Sequence, residues 1–265
     1  MTPAEKREPG AFDSEWSAFG DAQMRLLVEV MVEVTRALAR QLPPSRDLPF
    51  FGLDHPAGDL APYDQLAARG IFRKYESVLA IGAGLGAAAR WCHARFGCEV
   101  TGLDPASPAA AAATRLSARA GQGADTRFVA ARPSAIPLRE RGFTHVWLIG
   151  DAPAAEPPAR TLLAEAFRTV RLGGMVAVQG TGTDQGAAAV EVGLASVGLV
   201  DVDTRAVHRP PLKDGLRRAR ERLLAALRRA DSPVAEATAD GLARVYGRWP
   251  VEGGTVWQVF GRRPS

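Results

Sequence analysis

Cysteine is scarce in this chain: Cys92 and Cys98 are the only two among 265 residues. With four histidines scattered elsewhere they form no metal-ligand set, and two thiols flanking one helix read as buried free thiols, so no metal is expected. Long apolar runs are also lacking. No stretch approaches the ~20 residues that a membrane-crossing helix needs. Met1 to Gly10 is polar, carries both charge signs and has no signal-peptide core, so a cytoplasmic protein without membrane contact is expected. Neither charge sign dominates: 33 Lys and Arg stand against 29 Asp and Glu, and the net +4 permits nucleic-acid binding without demanding it. No internal repeat is visible. What is present is a 46% hydrophobic fraction over 265 residues, ample for a proper core and incompatible with wholesale disorder.

One stretch organises the rest. Ser77 to Ile81 is a short apolar run with the length of a buried parallel strand. Gly82, Gly84 and Gly86 then make a tight turn where side chains would block a ligand's approach. Ala87 to Arg95 follows as a helix whose N-terminal amides point back at that turn. Gly97 ends it, and Cys98 to Leu103 reads as a second strand closing on Asp104. An acid about 20 residues after the glycines is placed to accept hydrogen bonds from a ribose.

The G-x-G-x-G spacing, with its flanking strand, helix, strand and acid, resembles the first motif of the class I S-adenosylmethionine-dependent methyltransferases, roughly V-L-D-x-G-x-G-x-G. Further marks of the resemblance are the turn Arg171-Leu-Gly-Gly174 before a fifth strand and a last strand after Gly253-Gly254. It implies an α/β fold: a doubly wound, mostly parallel seven-stranded sheet of Rossmann-like type, ordered 3-2-1-4-5-7-6 with only the last strand antiparallel. It also implies S-adenosylmethionine as cofactor. Gly82, Gly84 and Gly86 would pass under its methionine and ribose portions, and Asp104 would hold the ribose. Pro105, Arg132 and Pro133 complete the implied cofactor set. The reaction would be methyl transfer to a small-molecule acceptor, with Asp151, just beyond the fourth strand, as candidate base. His145, inside that strand, reads as a core histidine.

The chain departs from the family pattern in its acids. Ala80 stands where an acid commonly fixes the cofactor's ammonium, a contact worth about 1.5–3 kcal/mol. After strand three the family's G-D-A-x-x-L-P-F appears as Ala131-Arg-Pro-Ser-Ala-Ile-Pro-Leu138. Arg132 is a donor only and cannot accept from an adenine amino group. These two positions give the alternative reading: a non-catalytic methyltransferase-like subunit that stabilises or regulates a partner.

Around this domain, assigned to 63–265, residues 1–62 are expected to form a helical cap and connector. Asp21 to Leu42 is its long helix, apolar at Met24, Leu27, Val28, Met31, Val34 and Leu38, and open to packing on the body or on a second subunit in a homo- or hetero-oligomer. Phe12, Trp16 and Phe19 precede it as a segment that docks on the body or covers a pocket, or as a partly ordered tail. Ser45 to Pro62, with Phe50, Phe51 and His55, has a length that often serves sites. Residues 212–250 read as a helical insertion. Its first helix shows Leu216, Ala219, Leu223 and Leu227 on one face, and Arg217, Arg218, Arg220, Arg222, Arg228 and Arg229 outward. No aromatics interleave with these arginines, which counts against binding of single-stranded nucleic acid, and nucleic acid is not the expected partner.

Overall fold

The computed structural model describes residues 14–39, 50, 52–58, 61–149, 160–181, 184–249 and 251–265. The alternation of short apolar strands with helices yields β1 (Ser77–Ile81), α3 (Ala87–Phe96), β2 (Glu99–Asp104), α4 (Ser107–Arg119), β3 (Thr126–Ala130) and β4 (Phe143–Leu148). Then follow α5 (Arg160–Thr169), β5 (Val170–Thr181), α6 (Asp184–Ser196), β6 (Val200–Arg209) and β7 (Gly254–Arg262). These seven strands form one sheet in the order β3-β2-β1-β4-β5-β7-β6, as the resemblance implies. β7 runs antiparallel to both neighbours, and the other pairings are parallel.

The central strands are buried on both faces, which explains why they read as continuous apolar runs. In β1, Leu79 and Ile81 pack with Leu162, Leu163 and Ala166 of α5, and Val78 and Ala80 pack on the other side with Ala88, Ala89 and Trp91 of α3. The expected turn at Arg171–Gly174 lies within β5 as a bulge. Phe143 faces Val170, whereas His145, two residues on, faces Met175, five residues on.

A third cluster lies outside the sheet. Helices α1 (Asp21–Leu38), α7 (Asp214–Arg228) and α8 (Pro233–Gly247) pool Met24, Leu27, Met31, Ala219, Leu223, Leu227, Ala239 and Leu242 with Ala109, Ala112 and Leu116 of α4, while the short α2 (Ala61–Ala67) precedes β1. The apolar stripe of α1 is thus consumed within the chain. Gly20 stands at its N-cap, where its own N–H donates to Gln23 Oε1 at 2.9 Å. Its continuation to Pro43-Pro44, and Phe12 and Phe51, lie outside the described residues.

One face of α7 differs from the sequence reading. Arg220 is buried, not outward. It sits on the apolar stripe beside Ala219 and Leu223, and its guanidinium donates to the carbonyls of His55 at 2.6 Å and Pro56 at 2.8 Å while lying 4.1 Å over the ring of Tyr246.

Candidate active site

The glycine turn leaves β1 at the carboxyl end of the sheet, next to the point where the chain switches from building towards β2 and β3 to building towards β4. Ligands of doubly wound folds bind there. Gly82, Gly84 and Gly86 have φ of +79°, +51° and +82°, which side chains rarely adopt. The turn is stapled to the end of β2: the N–H groups of Gly82 and Ala83 donate to Leu103 O at 2.8 and 3.0 Å. Gly84 N–H donates to one oxygen of Asp104 at 2.9 Å, and Ala106 N–H to the other at the same distance. Below the turn Phe128 of β3 fills the space that glycine leaves; a Cβ at Gly86 or Gly102 would stand 2.5 Å from its ring.

Asp104 therefore corrects an expectation. A carboxylate at a strand end reads as solvent-accessible, yet it is only 2% exposed. Burial pushes its pKa up, against hydrogen bonds from Ala106, Ser14 and Gly84 that favour the charged form. The Ser14 contact was not legible, because nothing local in the sequence ties residue 14 to residue 104.

The other implied residues divide. Pro105 is half-buried next to Asp104, Pro133 is buried and Arg132 is exposed. Their loop is fixed by α5: Arg168 donates to Leu138 O at 2.9 Å and Ile136 O at 2.8 Å, and Glu165 accepts from Ile136 N–H at 2.8 Å. Asp151 lies outside the described residues. His145 is buried, stacked on Phe72 at 4.0 Å with Nε2 3.1 Å from Ile71 O, and burial lowers its pKa. It belongs to the core, as its place inside β4 suggests. Ala80 is packed in a layer with Tyr63, Trp91 and Trp147, so an acid there would be set among apolar rings.

Two segments close over the turn. The first is 14–20. Trp16 is 1% exposed, and its indole lies so near Gly84 that a Cβ there would be 2.6 Å from Nε1. The second is the connector 52–58. Its Asp54 carboxylate pairs with Arg90 of α3, which is fully buried. Arg90 also donates to Leu85 O at 2.7 Å and Ser117 Oγ at 3.2 Å, and its guanidinium lies 5.3 Å over Phe50. His55 Nε2 lies 3.0 Å from the hydroxyl of Tyr63. Tyr246 of α8 donates to Leu53 O at 2.5 Å, and Arg209 of β6 to Ala57 O at 2.8 Å.

Between these segments and the turn, among Trp16, Asp54, His55, Tyr63, Gly82–Leu85 and Ile149, the cavity is about 10 Å³, room for roughly one water molecule. Pockets that take small-molecule ligands and cofactors measure roughly 300–1,000 Å³. The turn and its acid are chemically suited to a nucleoside, but the space that the described residues enclose there does not admit one in this conformation. The sequence reading missed Asp54, Arg90, Tyr63 and Arg220 as parts of this enclosure. Arg90 carried a signal, a lone arginine in an otherwise apolar helix start, Ala87-Ala-Ala-Arg-Trp91.

Residues 78–174 match the family described as Methyltransferase domain. No curated protein matches the chain. Among solved structures, phosphoethanolamine N-methyltransferase 2 of Haemonchus contortus, bound to S-adenosylhomocysteine, aligns at 16% identity with a TM-score of 0.52. The alignment takes in 77% of this chain but only 52% of that one, about half its length. A sarcosine dimethylglycine methyltransferase from Galdieria sulphuraria aligns at 21% identity and TM-score 0.52, over 76% of this chain and 83% of that one. The [4+2]-cyclase SpnF aligns at 15% identity and TM-score 0.50, over 76% and 80%. The likeness to methyltransferases thus holds in sequence over Val78–Gly174 and in fold over about three quarters of the chain.

Proposed function

We propose that this chain transfers a methyl group from S-adenosylmethionine to a small molecule. The observation that supports this best is the Asp104 carboxylate, bonded across to the Gly84 amide at the switch point of the sheet. A carboxylate there accepts from a ribose diol, and a side-chain-free turn lets the ligand reach the backbone. A small acceptor is favoured over a polymer because the connector, pinned by α7 and α8, stands over the same end of the sheet. Asp151, two residues past Ile149, remains the base we propose for acceptors that carry a proton.

A second reading is favoured by a specific observation. Trp16 fills the site, Ala80 is packed under rings and Arg132 is an exposed cation, so a non-catalytic subunit that stabilises a partner would also look like this. The cyclase with the same fold is a reminder that the fold alone does not fix a reaction. Calorimetric titration with S-adenosylmethionine and S-adenosylhomocysteine separates the readings. Micromolar binding is expected for the methyltransferase; no heat at millimolar ligand, from the unaltered protein and from a Trp16→Ala variant alike, would sink it and leave the subunit reading. Asp104→Asn, which keeps the acceptor atom towards one amide but removes the charge, should weaken binding at least tenfold.

A further inference from the structure

We propose that Ser14–Phe19 is an internal stand-in for the cofactor's nucleoside, holding the site shut until a nucleoside displaces it. The inference rests on the methyltransferase reading above and adds a regulatory contact to that site. Ser14 places a hydroxyl on the Asp104 carboxylate, the same donor chemistry that a ribose would offer. Trp16 places a flat heteroaromatic ring with one N–H against Gly84, nearer than any side chain on residue 84 would allow. Both groups are buried, and a short turn joins them: Ser14 Oγ lies 3.3 Å from Trp16 N, and Ser17 N–H donates to Ser14 O at 2.9 Å. A bound nucleoside would need the same carboxylate and the same face of the glycine turn, so the two occupants exclude each other. The segment is held elsewhere too. Phe19 packs on α8 where a Cβ at Gly241 would be 2.9 Å from its ring, and Gly20 opens α1. Displacement can therefore swing Ser14–Trp16 about Phe19–Gly20 and leave α1 seated.

Competition of this kind raises the apparent dissociation constant by the inverse of the open fraction. The paired variant Ser14→Ala/Trp16→Ala should bind S-adenosylhomocysteine at least tenfold more tightly than the unaltered protein in calorimetry. In the unaltered protein, saturating S-adenosylhomocysteine should speed amide hydrogen exchange across residues 14–20 while slowing it in the glycine turn. Loss of a buried indole can unfold the variant, and a thermal melt reveals that; the exchange measurement then decides alone. Equal affinities, or slower exchange in 14–20 on binding, would overturn the stand-in and leave the methyltransferase reading intact, since the segment would then be closing over the ligand. Absence of binding to either protein would overturn both.

Discussion

Arg90 has no water-facing surface, and its charge is met by one carboxylate, Asp54. Removing one partner of a buried pair strands the other, so Asp54→Ala should cost about 3–5 kcal/mol in urea unfolding. The double change Asp54→Leu with Arg90→Met should cost clearly less than the sum of the two single changes, because no stranded charge remains. His55 supplies a pH test. Burial, then the nearby charges of Arg220 and Arg209, lower its pKa from 6.5 to about 3. Between those values the unfolded chain takes up a proton that the native state refuses. Stability should therefore fall as pH drops from about 6.5 towards 3, with no contribution from this group above that window. His145, also lowered by burial, acts with the same sign. Melting temperature followed from pH 7 to pH 4 should decline more steeply in the unaltered protein than in His55→Gln; parallel declines would remove His55 from the account.

Among the elements, the connector 52–58 has no regular structure of its own and is held by backbone carbonyls lent to distant donors. Arg220, Arg209 and Tyr246 reach it from α7, β6 and α8. Arg220→Met should accelerate amide exchange in 52–58 by at least tenfold while the strands keep their protection; unchanged exchange would show that the other contacts suffice. This pinning was partly legible. Positions 216, 220, 223 and 227 share one helical face, so Arg220 stood on the apolar stripe, but charge sorted it with the outer arginines. The strands and the glycine turn could be read locally, because apolar runs bounded by glycine need no long-range partner to be recognised. Ser14 on Asp104 and Asp54 on Arg90 link residues 90 and 36 apart in sequence, and no spacing rule reaches that far.

At the scale of the molecule, the expected boundary at residue 62 cuts through a shared core. Met24, Leu27 and Met31 of α1 lie in one cluster with residues of α4, α7 and α8. Burying such a side chain is worth about 1.5–3 kcal/mol each. Residues 63–265 expressed alone should accordingly show reduced helicity and self-association in gel filtration; a monomer with a cooperative melt would instead establish the cap as separable. The strand order has a different consequence, one of timing. β5 and β6 do not pair: β7 stands between them, pairing Val178 with Val259 on one side and Thr204 with Val259 on the other. A ribosome delivers β6 some fifty residues before the strand that receives it, and in that interval its backbone edge is open to any other chain. Until residues 254–262 emerge, a nascent chain of this kind should gain from a chaperone that shields the edge.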